Sequence, residues 1–169
     1  MTTTPDTQET ATGKTTVTTP SDREILSERV FDAPRERVFA AYTDPELIPQ
    51  WWGPRRMTTV VDRMDVRPGG SWRFVAHDPD GREQGFQGVY REVTPPERIV
   101  QTFEWEGMPG HVIIEHAAFE ELGGRTRVTV TSLFHTTEER DGMLASGMER
   151  GLSESHDRLD ELLAAEEAA

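Results

Sequence analysis

The chain has 169 residues, with 18 basic against 31 acidic side chains, a formal net charge of −13 and no cysteine. The missing thiol excludes cysteine nucleophiles, CxxC redox chemistry, iron–sulfur clusters and cysteine-bound zinc, and the acidic balance argues against a nucleic-acid surface, which needs a basic patch. Lys14 is the only lysine, so Schiff-base chemistry in the folded domain is excluded too.

The length suggests one domain. No apolar run approaches the ~18 residues of a membrane span, and the N-terminus lacks the basic and apolar regions of a signal peptide. A cytoplasmic protein without a membrane span is the expectation. Ten of the first twenty residues are threonine. A segment of that kind cannot bury enough apolar surface to offset its ordering entropy, which predicts a disordered tail over residues 1–22.

Residues 23–32, REILSERVFD, alternate as a strand, with Ile25, Ser27 and Arg29 on one face and Leu26, Glu28 and Val30 on the other. Asp32 or Ala33 then sits at a helix cap, with Pro34 in the first turn. Val38, Phe39, Ala41 and Tyr42 follow at helical spacing. Asp44-Pro45 breaks this helix and opens a short second one, which runs through Leu47 and Ile48 to the adjacent Trp51 and Trp52 and stops at Gly53-Pro54. From Met57 to Phe134 the apolar pattern alternates between Gly- and Pro-rich turns, predicting strands over 57–66, 71–77, 84–93, 98–106, 112–121 and 125–134. Short turns between consecutive strands mean an antiparallel meander.

After Phe134 the helical period returns. Leu144, Met148, Leu152, Ser155, Leu159, Leu162 and Leu163 form one stripe of a long helix, with a threonine cap at Thr137 ahead of Glu138 and Glu139 and a break near Gly147 or Gly151. Residues 137–169 hold ten acids against three arginines, the composition of a solvated helix face. Segregated strands and helices predict an α+β fold. The meander must hide one face, and the last helix carries the one large apolar stripe that can cover it; a twisted antiparallel sheet curled around that helix follows.

Several motifs fail on their own chemistry. His111 and His116 are an odd number of residues apart, which puts them on opposite faces of a strand and makes a poor metal pair. DPDGRE, residues 78–83, has Arg82 where a calcium ligand belongs and reads as a hairpin turn. No HExxH, GxSxG, GxGxxG or P-loop pattern occurs. Neither a metal nor a cofactor is predicted. Arg55 and Arg56 read as surface, or as a lure for an anionic ligand beside a pocket mouth.

The segments VFDAPRERVFAAYTDPELIPQWWGP, RPGGSWRF, GVYREVTPPERIVQTFEW and SGMERGLSESHDRLDELL, in this order and spacing, resemble the bacterial branch of the activator-of-heat-shock-ATPase homologue family. That family lies within the START-like, helix-grip (SRPBCC) superfamily. The resemblance covers residues 23–165, which become the expected domain. It implies a curved seven-stranded antiparallel sheet gripping a long C-terminal helix, two short helices after the first strand, and a hydrophobic cavity between sheet and helix. Members bind lipids, polyketides, hormones or antibiotics, and a minority catalyse cyclisation or dehydration. The eukaryotic co-chaperone that names the family has an additional N-terminal domain where this chain has its Thr-rich tail, so a chaperone partner is not carried over.

Strand parity then selects candidate residues for such a cavity. Trp72, Phe74 and Ala76 share a face, as do Phe86, Gly88 and Tyr90; Ile99, Gln101, Phe103 and Trp105; and Thr126, Val128, Val130 and Ser132. Gly88 suits a strand bend or a pocket wall. Trp51 and Trp52 point ~100° apart on a helix, so one plugs the end of the sheet–helix space while the other packs outside or at the entrance; the competing reading makes both core. Phe119 facing inward brings Glu115 with it and leaves His116 outside, and a reversed phase exchanges them; either could orient a ligand or move a proton. His156 reads as a boundary histidine. The candidate ligand-binding set is Trp51, Trp52, Trp72, Phe74, Phe86, Tyr90, Gln101, Phe103, Trp105, Glu115, Phe119, Met148 and Leu152. The expected function is to hold a hydrophobic or aromatic small molecule. The alternatives are a cyclase- or aromatase-like enzyme using a polar cavity group, or a protein-binding module; monomer and homodimer both stay open.

Overall fold

The structure, a computed structural model, describes residues 11–168. In chain order the elements are β1 (Thr16–Thr18), β2 (Glu24–Phe31), α1 (Arg35–Thr43), α2 (Ile48–Trp51), β3 (Thr58–Met64), β4 (Ser71–His77), β5 (Glu83–Thr94), β6 (Arg98–Trp105), β7 (Ile113–Glu121), β8 (Thr126–Leu133), α3 (Thr137–Ala145) and α4 (Met148–Ala168). All strands join one sheet in the order β1-β2-β8-β7-β6-β5-β4-β3. Every pairing is antiparallel. Bulges between Val61 and Arg63 and between Tyr90 and Glu92 shift the register and bend the strands. The expected α+β fold with a long C-terminal helix is the observed one.

Several local expectations need correction. The sheet has eight strands rather than seven, because part of the expected tail is ordered: Thr16, Val17 and Thr18 pair with Glu28, Ser27 and Leu26. The entropy argument failed there because threonine is a good strand former and the ladder supplies backbone hydrogen bonds that need no apolar payload. Residues 1–10 of that expected tail lie outside the described residues. The first helix is capped by Pro34 itself, with no side-chain bond from Asp32 or Ala33. The cap of α3 is Thr136, whose hydroxyl accepts from the Glu139 amide at 3.1 Å, one residue earlier than expected. The break between α3 and α4 falls at Gly147, with φ of +83°, while Gly151 stays helical.

The space between sheet and helix is filled at one end. There α1 drives Val38, Phe39 and Tyr42 under the sheet, where they join Trp51, Tyr90, Ile99, Phe119, Leu159 and Leu163 in one apolar cluster. Phe39 and Tyr42 meet the Phe119 ring edge-on at 5.1 and 5.2 Å, within the range where aromatic pairs add to burial. Gly88 is a close approach and not a pocket wall: a Cβ there would overlap the Thr102 carbonyl oxygen and crowd the Trp72 indole nitrogen.

The same end holds an ionic core. Arg29 projects from the inner face of β2 and is 2% exposed. Its guanidinium donates to Asp157 at 2.8 Å, to Asp160, and to the Thr15 hydroxyl at 3.0 Å. The same hydroxyl is hydrogen-bonded to His156 Nδ1 at 2.8 Å. The imidazole is a buried core group, 3% exposed and edge-on to Phe31 at 5.4 Å. Burial, helped by the charge of Arg29, pushes its pKa down from 6.5 to about 3.

A folded-state pKa below the unfolded value means the unfolded chain binds more protons, so this histidine's contribution is complete above about pH 6.5 and fades as the pH falls toward 3. Wild type is therefore expected to lose stability on acidification from pH 7.5 to 5 by about 1.4 kcal/mol per pH unit below 6.5 that His156→Gln does not lose. Urea denaturation of both proteins across that range measures the difference. Parallel curves would show that His156 is not held neutral.

Candidate functional site

The other end of the sheet–helix space is hollow. A cavity of about 620 Å³ lies between the inner face of β4 to β8 and the first half of α4. Its walls are rings: Trp52, Trp72, Phe74, Phe86, Phe103 and Trp105, with Phe134 beyond them. Cross-strand register sets this up, since Phe74 pairs with Phe86 and Phe86 with Trp105. The helix offers Met148, Gly151, Leu152 and Ser155, and α3 adds Met143. A second hollow of about 400 Å³ adjoins it, sharing Phe103, Trp105, Ile113, Phe134 and Met143 and reaching Met108 and the His111–Glu139 pair. Those two side chains meet at 2.5 Å and tie the β6–β7 loop to α3. The bond from His111 is the chief reason the Glu139 carboxyl sits below its usual pKa.

The tryptophan pair marks the boundary between filled and hollow ends. Trp51 is 3% exposed. Its indole N–H donates to the Ala41 carbonyl at 2.9 Å, and its ring lies 4.7 Å from Tyr42. Trp52 turns the other way and meets Phe74 and Phe86 edge-on, each at 5.2 Å. The backbone around the pair is held at every carbonyl. Ser155 Oγ donates to Trp51 O at 3.0 Å and accepts from the Gly53 amide at 3.1 Å. Thr59 donates to Trp52 O at 2.7 Å, and Arg158 to Gly53 O at 2.9 Å. Gly53 has φ of +98°, a conformation that costs any residue with a Cβ.

One polar row crosses the apolar wall. Gln101, Glu115 and Ser132 sit opposite one another on β6, β7 and β8. Gln101 Nε2 donates to Glu115 at 3.2 Å, and the Ser132 side chain also bonds the carboxyl. The surface left on Glu115 opens into the cavity it lines, while protein encloses the rest. Burial therefore pushes its pKa up, against the pull of these two hydrogen bonds. His116 faces outward and is exposed, 3.3 Å from Arg98. The arrangement can present one carboxyl, in either protonation state, to a molecule otherwise surrounded by hydrocarbon and aromatic faces.

Ten of the thirteen candidate residues line this cavity: Trp52, Trp72, Phe74, Phe86, Gln101, Phe103, Trp105, Glu115, Met148 and Leu152. Trp51, Tyr90 and Phe119 do not, and their placement in the set is corrected. They do face inward, but at the end that α1 fills, so they are packed core. Sequence reasoning left out Ile25, Met57, Ser132, Phe134 and Met143, which also line the wall. Ser132 shares parity with Val128 and Val130, and Phe134 extends that parity by one step, so both were within reach of the alternation argument. Arg56 stands at the cavity, whereas Arg55 pairs with Glu161 of α4 at 2.6 Å. Among the described residues no group of three or more His, Cys, Asp or Glu could hold a metal ion, and no helix is long and apolar enough to cross a membrane.

An antiparallel sheet closed over a long C-terminal helix, with a hollow between them, defines a START-like protein of the helix-grip class. Residues 32–164 match the activator of Hsp90 ATPase homolog 1-like protein family, and the chain belongs to that family. It is similar to a crystal structure of a Rhodobacter sphaeroides protein at 27% identity, covering 90% of this chain and 99% of that one, with a TM-score of 0.85. A solution structure from Arthrobacter aurescens is 25% identical, covers 89% and 91%, and has a TM-score of 0.82. One from Staphylococcus epidermidis is 28% identical, covers 89% and 94%, and has a TM-score of 0.77. No curated protein matches the chain.

Ser155 bonds both sides of the Trp51–Gly53 turn. Ser155→Ala leaves two partly buried backbone groups without partners and is expected to cost about 1–3 kcal/mol, read from urea denaturation. It should also shift the tryptophan emission as Trp52 loosens from Phe74 and Phe86. An unchanged midpoint would mean that water replaces the hydroxyl at no loss.

Proposed function

We propose that this protein binds an apolar small molecule in the hollow between its sheet and its C-terminal helix. The observation that carries the reading is the cavity itself: about 620 Å³, walled by stacked aromatic and methionine side chains, with one convergent polar row. Ligand sites typically run from about 300 to 1,000 Å³ and combine apolar walls with a few placed polar groups. A domain that needed only stability would close such a space, because voids between large side chains forfeit dispersion contacts. Methionines on the helical side suit a wall that adapts to its guest. Family membership supports the reading at the level of the fold; fold alone does not name a ligand.

A second reading rests on Glu115. A carboxyl whose pKa is raised by burial can act as a general acid or base, which would make the protein a cyclase- or aromatase-like catalyst. The two readings part on Glu115→Gln: a catalyst loses turnover and keeps its ligand, whereas turnover is irrelevant to a carrier or sensor.

Titration with a panel of flat aromatic and fatty probes tests the proposal. A true ligand at a hundred times its Kd adds about 2.7 kcal/mol, or about 5–10 °C in melting temperature for a domain of this size. Saturable quenching of tryptophan fluorescence should accompany it, through Trp52 and Trp72. Gly151→Phe is the matched variant. An added Cβ at Gly151 meets nothing within 4 Å, and the change removes a helix-interior glycine, so the variant should fold while its ring occupies the hollow. Binding weakened by about tenfold or more in Gly151→Phe places the ligand there. A silent panel overturns the proposal.

A further inference from the structure

We infer that the molecule this cavity takes is an organic cation: an aromatic or aliphatic body carrying an amine that seats on Glu115. The inference rests on the cavity being a binding site and names what it selects. Its basis is a carboxyl without a counter-ion. Both hydrogen-bond partners of Glu115, the Gln101 amide and the Ser132 hydroxyl, are neutral. The cations nearby in the fold are engaged elsewhere: Arg29 with Asp157 and Asp160 under α4, and Arg98 with Glu92 on the outer face. Apart from Glu115, the ionisable groups on the cavity wall are Arg56 and Asp78, and Arg56 is not among the groups that bond or perturb the Glu115 carboxyl.

A half-buried carboxylate without a counter-ion is costly for a fold to keep. An ammonium group removes that cost in a way that a hydroxyl or a carboxylate cannot. It supplies the opposite charge and charge-assisted hydrogen bonds to the carboxylate. It also gains from the ring faces around it, since Trp and Phe attract cations through their quadrupoles. Six aromatic residues of the wall, Trp52, Trp72, Phe74, Phe86, Phe103 and Trp105, supply such faces. The net charge of −13 draws cations toward the protein and repels fatty and aromatic acids.

The test uses two matched series on the full chain at neutral pH, by isothermal titration calorimetry. One is naphthylmethylamine, naphthylmethanol and naphthoate; the other is dodecylamine, dodecanol and laurate. In at least one series the amine should bind about tenfold or more tighter than the alcohol, with the acid weakest. Glu115→Gln, which keeps the shape and the bond to Ser132, should erase the amine's advantage and leave the alcohol's affinity within about twofold. The alcohol thus reports that the variant cavity is intact. If Glu115→Gln fails to fold, the wild-type ranking alone decides. An alcohol or acid that equals the amine, or an amine preference that survives Glu115→Gln, overturns this inference and leaves the cavity reading standing. Silence of both series and of the wider panel overturns the cavity reading, and this one with it.

Discussion

A guanidinium inside a protein cannot shed its charge, and the placement of the C-terminal helix follows from meeting that of Arg29. The side chain points inward from β2, so its partners must come from whatever covers the sheet. They come from Asp157 and Asp160, one helical turn apart on α4. This pairing sets both the rotation of α4 and its height above β2. With the helix so placed, Leu159 and Leu163 turn into the core. Ser155, one turn earlier, reaches the backbone of the Trp51–Gly53 turn. A further N–H of Arg29, on Nη1, recruits Thr15, and through it the N-terminal segment, which then continues as β1 along β2. One buried cation thereby organises the helix, the extra strand and the neutral state of His156.

The second constraint is asymmetry of filling. α1 inserts its rings at one end only, where Phe39, Tyr42, Trp51 and Phe119 close the space. At the other end the strands carry equally large rings, but these pack at a tilt against each other: Trp72 on Phe74 at 4.8 Å, and Phe86 near Phe103 at 5.7 Å. Of the four helix residues there, Gly151 and Ser155 are too small to reach across. Rings held by their neighbours in the sheet form a wall that does not need the helix to stand. The adjacent indoles divide the two ends because successive helical residues diverge by ~100°. One is committed to the core by its bond to Ala41, and the other is left facing the hollow.

Much of this was legible in the sequence, and the limits have physical causes. Strand bounds followed from alternation and Gly/Pro turns to within a residue or two, because a half-buried meander is the architecture in which period two is cleanest. The same alternation put Glu115 and His116 on opposite faces without fixing which one points inward, and the structure places Glu115 inside beside Gln101. Parity identifies a face, however, and not a position along it. Tyr90, Phe119 and Trp51 share faces with true cavity residues and differ only in lying under α1, a matter of tertiary placement that no local pattern carries. Arg29 was visible on the same side as Ile25, yet a lone arginine on a strand face gives no sign of being buried until its partners are known. Those partners lie 128 and 131 residues away. β1 escaped notice for the opposite reason: backbone pairing, one threonine hydroxyl and the single apolar side chain of Val17 hold it, too little to leave an apolar pattern.

The interior therefore contains two ionisable groups treated in opposite ways. Arg29 sits at the filled end and has two carboxylates, a hydroxyl and the Phe31 ring at 5.8 Å around it. Glu115 sits at the hollow end with two neutral hydrogen bonds and no cation. Burial acts on both, but only the arginine's charge has been met within the chain. Had the fold required a neutral wall at position 115, an apolar or amide side chain would have fitted the same strand register beside Gln101 and removed the desolvation cost altogether. A carboxyl kept there, ringed by aromatic faces and opening onto empty volume, has a physical rationale when the missing charge arrives with a guest. The two sites are then complementary. The compensated ion pair fixes the helix over the sheet, and that fixed helix holds open the space in which the uncompensated carboxyl waits.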